Sequence, residues 1–107
     1  MSHKAFMWIE ATLTDPLGFA EYGKRMVELV PRHGGRYVVF RGEREALEGE
    51  FGDTRVVVSE WPSMQAARSF WHSDAYAEVR KLREGTGIFR VLLLESLDAS
   101  PTSGGAL

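Results

Sequence analysis

The first apolar segment, KAFMWIEATL over residues 4–13, constrains the fold most because it carries large apolar side chains on two faces. Aromatic and β-branched residues without helical caps are typical of a β-strand, in which successive side chains point to opposite faces. One face then holds Met7, Ile9, Ala11 and Leu13, and the other holds Phe6, Trp8, Glu10 and Thr12. The sequence therefore predicts a sheet that is covered on both faces.

A helix follows this strand, and residues at both of its ends are recognisable. Asp15 is expected to cap the helix, and Pro16 fits the first helical position, where a missing N–H costs nothing. Apolar residues at three- and four-residue steps then form a stripe that includes Met26 and Val30. We expect the helix to end near Val30, because Pro31 cannot continue it.

Three more strands and two helical segments complete the pattern. Strands are predicted over residues 36–40, 54–61 and 87–96, and the continuous valines at residues 56–58 are typical of a buried strand. Ser63 and Ser73 are each placed to cap a helical segment. The order is β-α-β-β-α-β, the ferredoxin-like arrangement of the α+β class, with helices on one face of an antiparallel sheet.

The length favours one domain, which we expect over residues 1–96. Residues 97–107 are rich in Ser, Gly and Pro, and they are expected to form a flexible tail.

One face of the predicted sheet has no helix to cover it. Trp8, the valine run and the leucines at residues 92–94 cannot all point at two helices, so the open face must be substantially apolar. An apolar patch of this kind usually meets another protein surface, and the simplest partner is a second copy across a two-fold axis. We therefore expect a homodimer.

Composition excludes several classes of function. The formal net charge is −2 and no segment is dominated by Lys and Arg, so no nucleic-acid partner is expected. No apolar run approaches the ~20 residues that span a bilayer, and the N-terminus lacks the apolar core of a signal peptide. The chain has no cysteine, which removes disulfides, thiolate chemistry and cysteine zinc sites. The sequence predicts a cytoplasmic protein without a membrane partner.

Several short motifs, all in register, resemble one family. They are TDP followed by Phe19 and Tyr22, HGGRY at residues 33–37, LEG at residues 47–49, SEWPSMQAARSFWHSDAY at residues 59–76, and Arg83. Together they resemble the family catalogued as domain of unknown function 1330, in the dimeric α/β barrel superfamily, over about residues 4–96. The resemblance implies a homodimer whose two sheets face each other and enclose a cavity. It implies no single reaction, since the superfamily includes cofactor-free monooxygenases, isomerising enzymes, haem-degrading enzymes and ligand-binding proteins.

The segment at residues 59–76 contains the residue types of a hydrolase site, but packing explains it better. A Ser-His-Asp relay would need His72, Ser73 and Asp74 within mutual reach, and consecutive residues point away from one another. The sequence also lacks a Gly-x-Ser-x-Gly nucleophile elbow. Ser63 and Ser73 are interpreted as helix caps.

The three histidines have no spacing that is typical of a metal site. His3, His33 and His72 fall in a terminus, a turn and a helix end, so we predict no metal and no cofactor. A haem-associated role is kept as an alternative with His72 as the ligand, because some relatives in the superfamily use a helix histidine.

Glu10 and Glu60 each interrupt an apolar strand and are the candidate catalytic carboxylates. An ionised carboxylate in a low-dielectric cavity must be paired, or its pKa rises. Arg83 and Arg90 are the candidate partners. One interpretation is a buried ion pair that fixes the register of the elements. The other is a general base, with one of the arginines as an anion anchor.

Three aromatic residues are candidates for ligand binding, namely Trp8, Trp61 and Tyr76. Trp8 and Trp61 would wall the pocket of the general base. Aromatic residues at helical spacing are more often core than stacking platforms, which weakens the case for Tyr76.

These observations predict a small α+β homodimer that is non-catalytic or binds a small molecule. The first alternative is a cofactor-free enzyme, similar to a monooxygenase or isomerase, that acts on a small, partly apolar substrate. The second alternative is the haem-associated protein.

Overall fold

The computed structural model describes residues 3–97 and confirms the ferredoxin-like α+β fold. The elements in chain order are β1 (Ala5–Leu13), α1 (Pro16–Arg32), β2 (Arg36–Val39), β3 (Arg55–Trp61), α2 (Met64–Trp71), α3 (Asp74–Arg80), a 3-10 turn (Lys81–Arg83) and β4 (Gly87–Glu95). Apart from Leu97, the tail predicted for residues 97–107 lies outside the described residues.

The sheet is antiparallel throughout, with the strand order β2-β3-β1-β4. β1 lies in the middle and pairs with both β3 and β4. Its pleat separates two surfaces of the sheet. Ala5 and Met7 are buried on the face that the helices cover, which we call the helix face. Phe6 and Trp8 lie on the other face, which no element among residues 3–97 covers, and which we call the open face.

The expected helix caps are confirmed. The carboxylate of Asp15 accepts a hydrogen bond from the N–H of Gly18 at 3.0 Å. The hydroxyl oxygens of Ser63 and Ser73 each accept one from the backbone N–H three residues further on, at 3.0 and 3.1 Å. Each cap stabilises its helix by about 1 kcal/mol. Two of the serines in the hydrolase-like segment therefore have a structural role.

The end expected for α1 is wrong by two residues, because the helix continues through Pro31 to Arg32. Proline keeps a helical φ angle but removes one backbone hydrogen bond and crowds the preceding turn, and only one helical residue follows Pro31. The chain then reverses at Gly34, whose φ of 93° favours glycine, and the N–H groups of Gly34 and Gly35 donate to carbonyl oxygens of the last turn.

The aromatic residues of residues 59–76 form the centre of the core, as the packing interpretation predicts. Trp61 stacks on Phe70 with ring centroids 4.8 Å apart, and Phe70 contacts Tyr76 at 5.0 Å. The indole N–H of Trp61 donates to the hydroxyl of Ser59 at 2.9 Å, which satisfies its one polar group inside the core.

Gly35 is the position where this core leaves no room for a side chain. A Cβ atom there would lie 2.7 Å from the ring of Trp61, which is only 1% exposed and cannot move aside. We predict that Gly35→Ala lowers the free energy of unfolding by about 1–3 kcal/mol in chemical denaturation. Gly42→Ala is the matched control, because its Cβ would meet no atom within 4 Å and should change stability by less than about 0.5 kcal/mol. Equal effects from both substitutions would contradict this packing.

Candidate functional site

A cleft lies between the helix face of the sheet and α1. It has a volume of about 570 Å³, within the range of small-molecule sites. Its walls are mainly apolar and include Ile9 of β1 and Phe19 and Met26 of α1. Residues 40–44, which follow β2, form part of its border. We call it the helix-side cleft.

Arg83 reaches this cleft from the 3-10 turn that precedes β4. The side chain of Thr86 holds the turn, since its hydroxyl donates to the carbonyl oxygen of Arg83 at 2.6 Å. The carbonyl oxygen of Thr86 in turn accepts hydrogen bonds from the N–H groups of Thr14 and Asp15, at 2.8 and 3.0 Å. The base of the Arg83 side chain is therefore fixed to the junction of β1 and α1.

Arg83 is a buried cation without a counter-charge in the described part of the chain. The residue is 7% exposed, and its guanidinium carbon lies 4.4 Å from the ring centroid of Phe89 and 5.6 Å from that of Tyr22. Among residues 3–97, no carboxylate lies within ion-pair distance of this guanidinium, and no side chain accepts a hydrogen bond from it. Cation–π contact offsets part of the cost of burial, but the N–H groups keep their capacity to bind an anion.

Two tyrosines bring neutral phenol groups to the same cleft. Burial raises the pKa of Tyr22 far above its usual value, and burial also raises the pKa of Tyr37 to about 12. The hydroxyl of Tyr22 lies 3.0 Å from that of Tyr76. Because Tyr22 and Tyr37 keep their protons at neutral pH, they can supply hydrogen bonds but are poor general bases.

The border of the helix-side cleft is rich in positive charge. Arg41, Arg44 and Arg55 line it together with Arg83, whereas Glu43 is the one carboxylate among its described lining residues. None of these four arginines forms an ion pair with another residue in the range 3–97. Positive side chains therefore outnumber negative ones among the residues that line the cleft.

A second, wider cleft lies on the other side of Arg83 and has a volume of about 720 Å³. Tyr76, His72 and Arg80 line it, and the guanidinium of Arg80 lies 5.0 Å from the ring centroid of Trp71. His72 is exposed at the C-terminal cap of α2. We call this the outer cleft, and Arg83 borders both clefts.

Both candidate carboxylates lie on the open face, away from the helix-side cleft. Glu60 accepts a hydrogen bond from Nε of Arg36 at 2.7 Å and lies 3.4 Å from Nζ of Lys4. The hydrogen bond from Arg36, with that of Lys4, lowers the pKa of Glu60. The carboxylate therefore holds its proton weakly and is a weak general base.

The partners expected for these carboxylates are present only in part. Glu10 pairs with Arg90 at 3.5 Å, as expected, and also accepts a hydrogen bond from the indole N–H of Trp8 at 3.2 Å. The pairing of either carboxylate with Arg83 is wrong, because Arg83 lies on the helix side of the sheet.

The three candidate aromatic residues do not meet in one site. Trp8 lies on the open face and Trp61 is buried in the core on the helix face, so they cannot wall one pocket. Tyr76 contacts the core and the outer cleft. Sequence analysis missed Tyr22 and Phe89 as cleft residues. The sequence patterns show only that both side chains face the helix side of the sheet. Tyr22 lies on the apolar stripe of α1, and Phe89 follows the alternation of β4.

Residues 3–97 contain no group of three or more His, Cys, Asp or Glu side chains that could hold a metal ion. None of the helices in this range has the length and apolar character needed to cross a membrane.

The family described as domain of unknown function (DUF1330) matches residues 4–97. The chain belongs to the DUF1330 family. No curated protein matches it.

Solved structures similar to this DUF1330 chain share its fold. RPA0582, a protein of unknown function from Rhodopseudomonas palustris, is 24% identical, with a TM-score of 0.69 over 92% of this chain and 85% of that one. SnoaB, a cofactor-independent oxygenase from Streptomyces nogalater, is 15% identical, with a TM-score of 0.68 over 94% and 99%. A candidate antibiotic biosynthesis monooxygenase from Caulobacter crescentus is 16% identical, with a TM-score of 0.63 over 91% and 92%. At these identities the likeness establishes the fold alone.

The ion pairs of Glu60 predict a pH-dependent contribution to stability. Because its pKa is lowered in the folded state, this contribution is present above the pKa of an unfolded glutamate and is lost as the pH falls through the folded value. We expect Glu60→Gln to be less stable than the wild type at neutral pH, with a difference that shrinks in acid, as measured by denaturation across pH.

The matched control is Glu21→Gln, which removes an exposed pair with Arg25 and should change stability little at any pH. A Glu60→Gln deficit that stays constant from neutral pH into acid would contradict the role assigned to the charge.

Proposed function

We propose that the helix-side cleft binds a small, partly apolar anion, with Arg83 as its charge partner. The observation that carries this proposal is the burial of Arg83 without a carboxylate partner among residues 3–97. Because the guanidinium N–H groups have no side-chain acceptor among residues 3–97 and yet are not sealed from solvent, an anion that enters the cleft can reach them and pair with them.

The rest of the cleft fits the same kind of ligand. The apolar walls at Ile9, Phe19 and Met26 suit an apolar body, and the arginines at the border attract a negative charge from solution. The neutral phenols of Tyr22 and Tyr37 add polar groups that fix orientation without repelling an anion.

Two fluorescent probes that differ by one charge test this proposal. 8-Anilinonaphthalene-1-sulfonate is an anion, and N-phenyl-1-naphthylamine has the same rings without the sulfonate. We expect Arg83→Gln to weaken binding of the anionic probe about tenfold or more, because a charge-assisted hydrogen bond contributes about 1.5–3 kcal/mol. Binding of the neutral probe should change less than about twofold. Both affinities are measured by fluorescence titration.

Arg68→Gln is the matched control, since it removes one positive charge from an exposed position on α2 outside the cleft. Circular dichroism must show that both variants are folded, because the anionic probe also binds loosened proteins. The proposal would be refuted if Arg83→Gln lowered the affinity for both probes equally, or if it lowered the affinity for neither.

We also propose that a second copy of the chain covers the open face. This face presents Ile88, Leu92 and Leu94, which are 68%, 56% and 43% exposed, beside the partly exposed Phe6 and Trp8. The acidic side chains of this face, Glu10 and Glu60, are already paired with basic residues of the same chain. Exposed apolar side chains of this kind favour an isologous contact.

A charge in the middle of this face should separate the copies. We expect the wild type to have the mass of a dimer in native mass spectrometry and Leu92→Lys to shift towards the monomer by about tenfold or more in dissociation constant. Leu17→Lys is the control, because Leu17 is 90% exposed on α1, away from the open face. A monomeric wild type would refute this interface.

A cofactor-independent oxygenase is the second candidate, favoured by the match of SnoaB over nearly the whole of both chains. Such a reaction would convert an activated methylene and O₂ into a carbonyl and water: one oxygen atom enters the product, and both methylene hydrogens leave in the water. The substrate itself must supply the electrons as a carbanion or enolate, which Arg83 could stabilise. Oxygen uptake by metal-free protein with an enolisable aromatic ketone is the test of this candidate.

A further inference from the structure

The groups around Arg83 narrow the ligand to one class of anion. We propose that the helix-side cleft recognises carboxylates, through the forked edge of the Arg83 guanidinium and the hydroxyl of Tyr22. This inference rests on the proposed anion-binding function and adds the chemical class of the ligand to it.

The guanidinium of Arg83 lies against two aromatic rings. Its central carbon lies over the ring of Phe89 at 4.4 Å and over the ring of Tyr22 at 5.6 Å. Aromatic rings against a guanidinium leave its N–H groups, which lie in its plane, as the part that a ligand can reach. Two parallel N–H groups match the two oxygens of a carboxylate, whereas a phenolate or enolate offers one oxygen and uses only part of the fork.

The contact between Tyr22 and Tyr76 leaves one phenol proton without an acceptor among residues 3–97. Tyr22 and Tyr76 carry two hydroxyl protons, and the 3.0 Å hydrogen bond between their oxygens uses one of them. Among residues 3–97 no other acceptor takes the remaining proton from either hydroxyl. When Tyr76 donates to Tyr22, the Tyr22 proton is free to point at an acceptor in the helix-side cleft.

The lining of the two clefts decides which tyrosine serves the ligand. Tyr22 lines the helix-side cleft and Tyr76 lines the outer cleft, while Arg83 borders both. We therefore expect a carboxylate on Arg83 in the helix-side cleft to accept its phenol proton from Tyr22, which lines that cleft, and not from Tyr76, which lines the other. Its two oxygens can accept the two guanidinium N–H groups and the phenol proton together.

The test compares two substitutions of Arg83 with two matched anions. The probes are 4-nitrobenzoate and 4-nitrophenolate, at a pH where both are ionised, and affinities come from NMR titration of the full-length protein. We expect both Arg83→Gln and Arg83→Lys to weaken 4-nitrobenzoate about tenfold, because lysine keeps the charge but loses the fork. Arg83→Lys should change the affinity for 4-nitrophenolate by less than about threefold.

The tyrosines provide an independent arm with its own control. Tyr22→Phe and Tyr76→Phe both lose the mutual hydrogen bond, but only Tyr22 is a lining residue of the helix-side cleft. We expect Tyr22→Phe to weaken 4-nitrobenzoate about fivefold and Tyr76→Phe to weaken it less than about twofold. Equal losses in the two variants would overturn the role of Tyr22.

The outcomes separate this inference from the function on which it rests. If Arg83→Gln weakens the binding of both anions and Arg83→Lys binds both as the wild type does, the cleft binds anions by charge alone. That result overturns the carboxylate inference and leaves the proposed function standing. If Arg83→Gln changes neither anion, the proposed function itself fails. The inference is supported if both Arg83 variants bind 4-nitrobenzoate more weakly while Arg83→Lys keeps its affinity for 4-nitrophenolate.

Discussion

The pleat of β1 is the constraint on which the rest of this structure depends. Because β1 pairs with β3 on one side and β4 on the other, its alternating side chains divide the whole sheet into two surfaces. Ala5 and Met7 enter the core under the helices, whereas Phe6 and Trp8 remain on a face that the described chain leaves uncovered. The protein thus has two separate apolar surfaces, one that forms the core and one that the proposed second copy would cover.

The candidate site arises where the helix side of this sheet is incompletely filled. α1 packs against β1 through Tyr22 and Met26, but Arg83 enters beside them where an apolar residue would close the core. A buried cation is a poor way to stabilise a fold, and an apolar residue of similar size often serves stability better. The cost is intelligible if binding of an anion recovers it, and sites that break the rules of packing are often functional.

Local chemistry explains why the sequence predicts the fold well. The caps at Asp15, Ser63 and Ser73 and the alternation of β1 depend on nearby residues, so they are recognisable without a structure. The sequence places the end of α1 two residues too early, because proline has a helical φ angle and α1 continues for one residue beyond Pro31.

The site is harder to predict because it depends on which elements meet. Sequence pattern shows that Glu60 interrupts a strand, but only the register places Arg36 opposite it. In the same way, Trp8 and Trp61 look equivalent as strand tryptophans until the pairing puts them on opposite faces. Arg83 was recognised as a possible anion anchor, yet its position in the cleft follows from the turn before β4 and from no local motif.

The most direct test of the account is a crystal structure of the protein grown with 4-bromobenzoate, in which anomalous scattering locates the bromine. The account predicts bromine density within the apolar part of the helix-side cleft, with the carboxylate in hydrogen-bond contact with Arg83. Bromine density confined to the open face, or a molecule in the cleft whose carboxylate points away from Arg83, would contradict it.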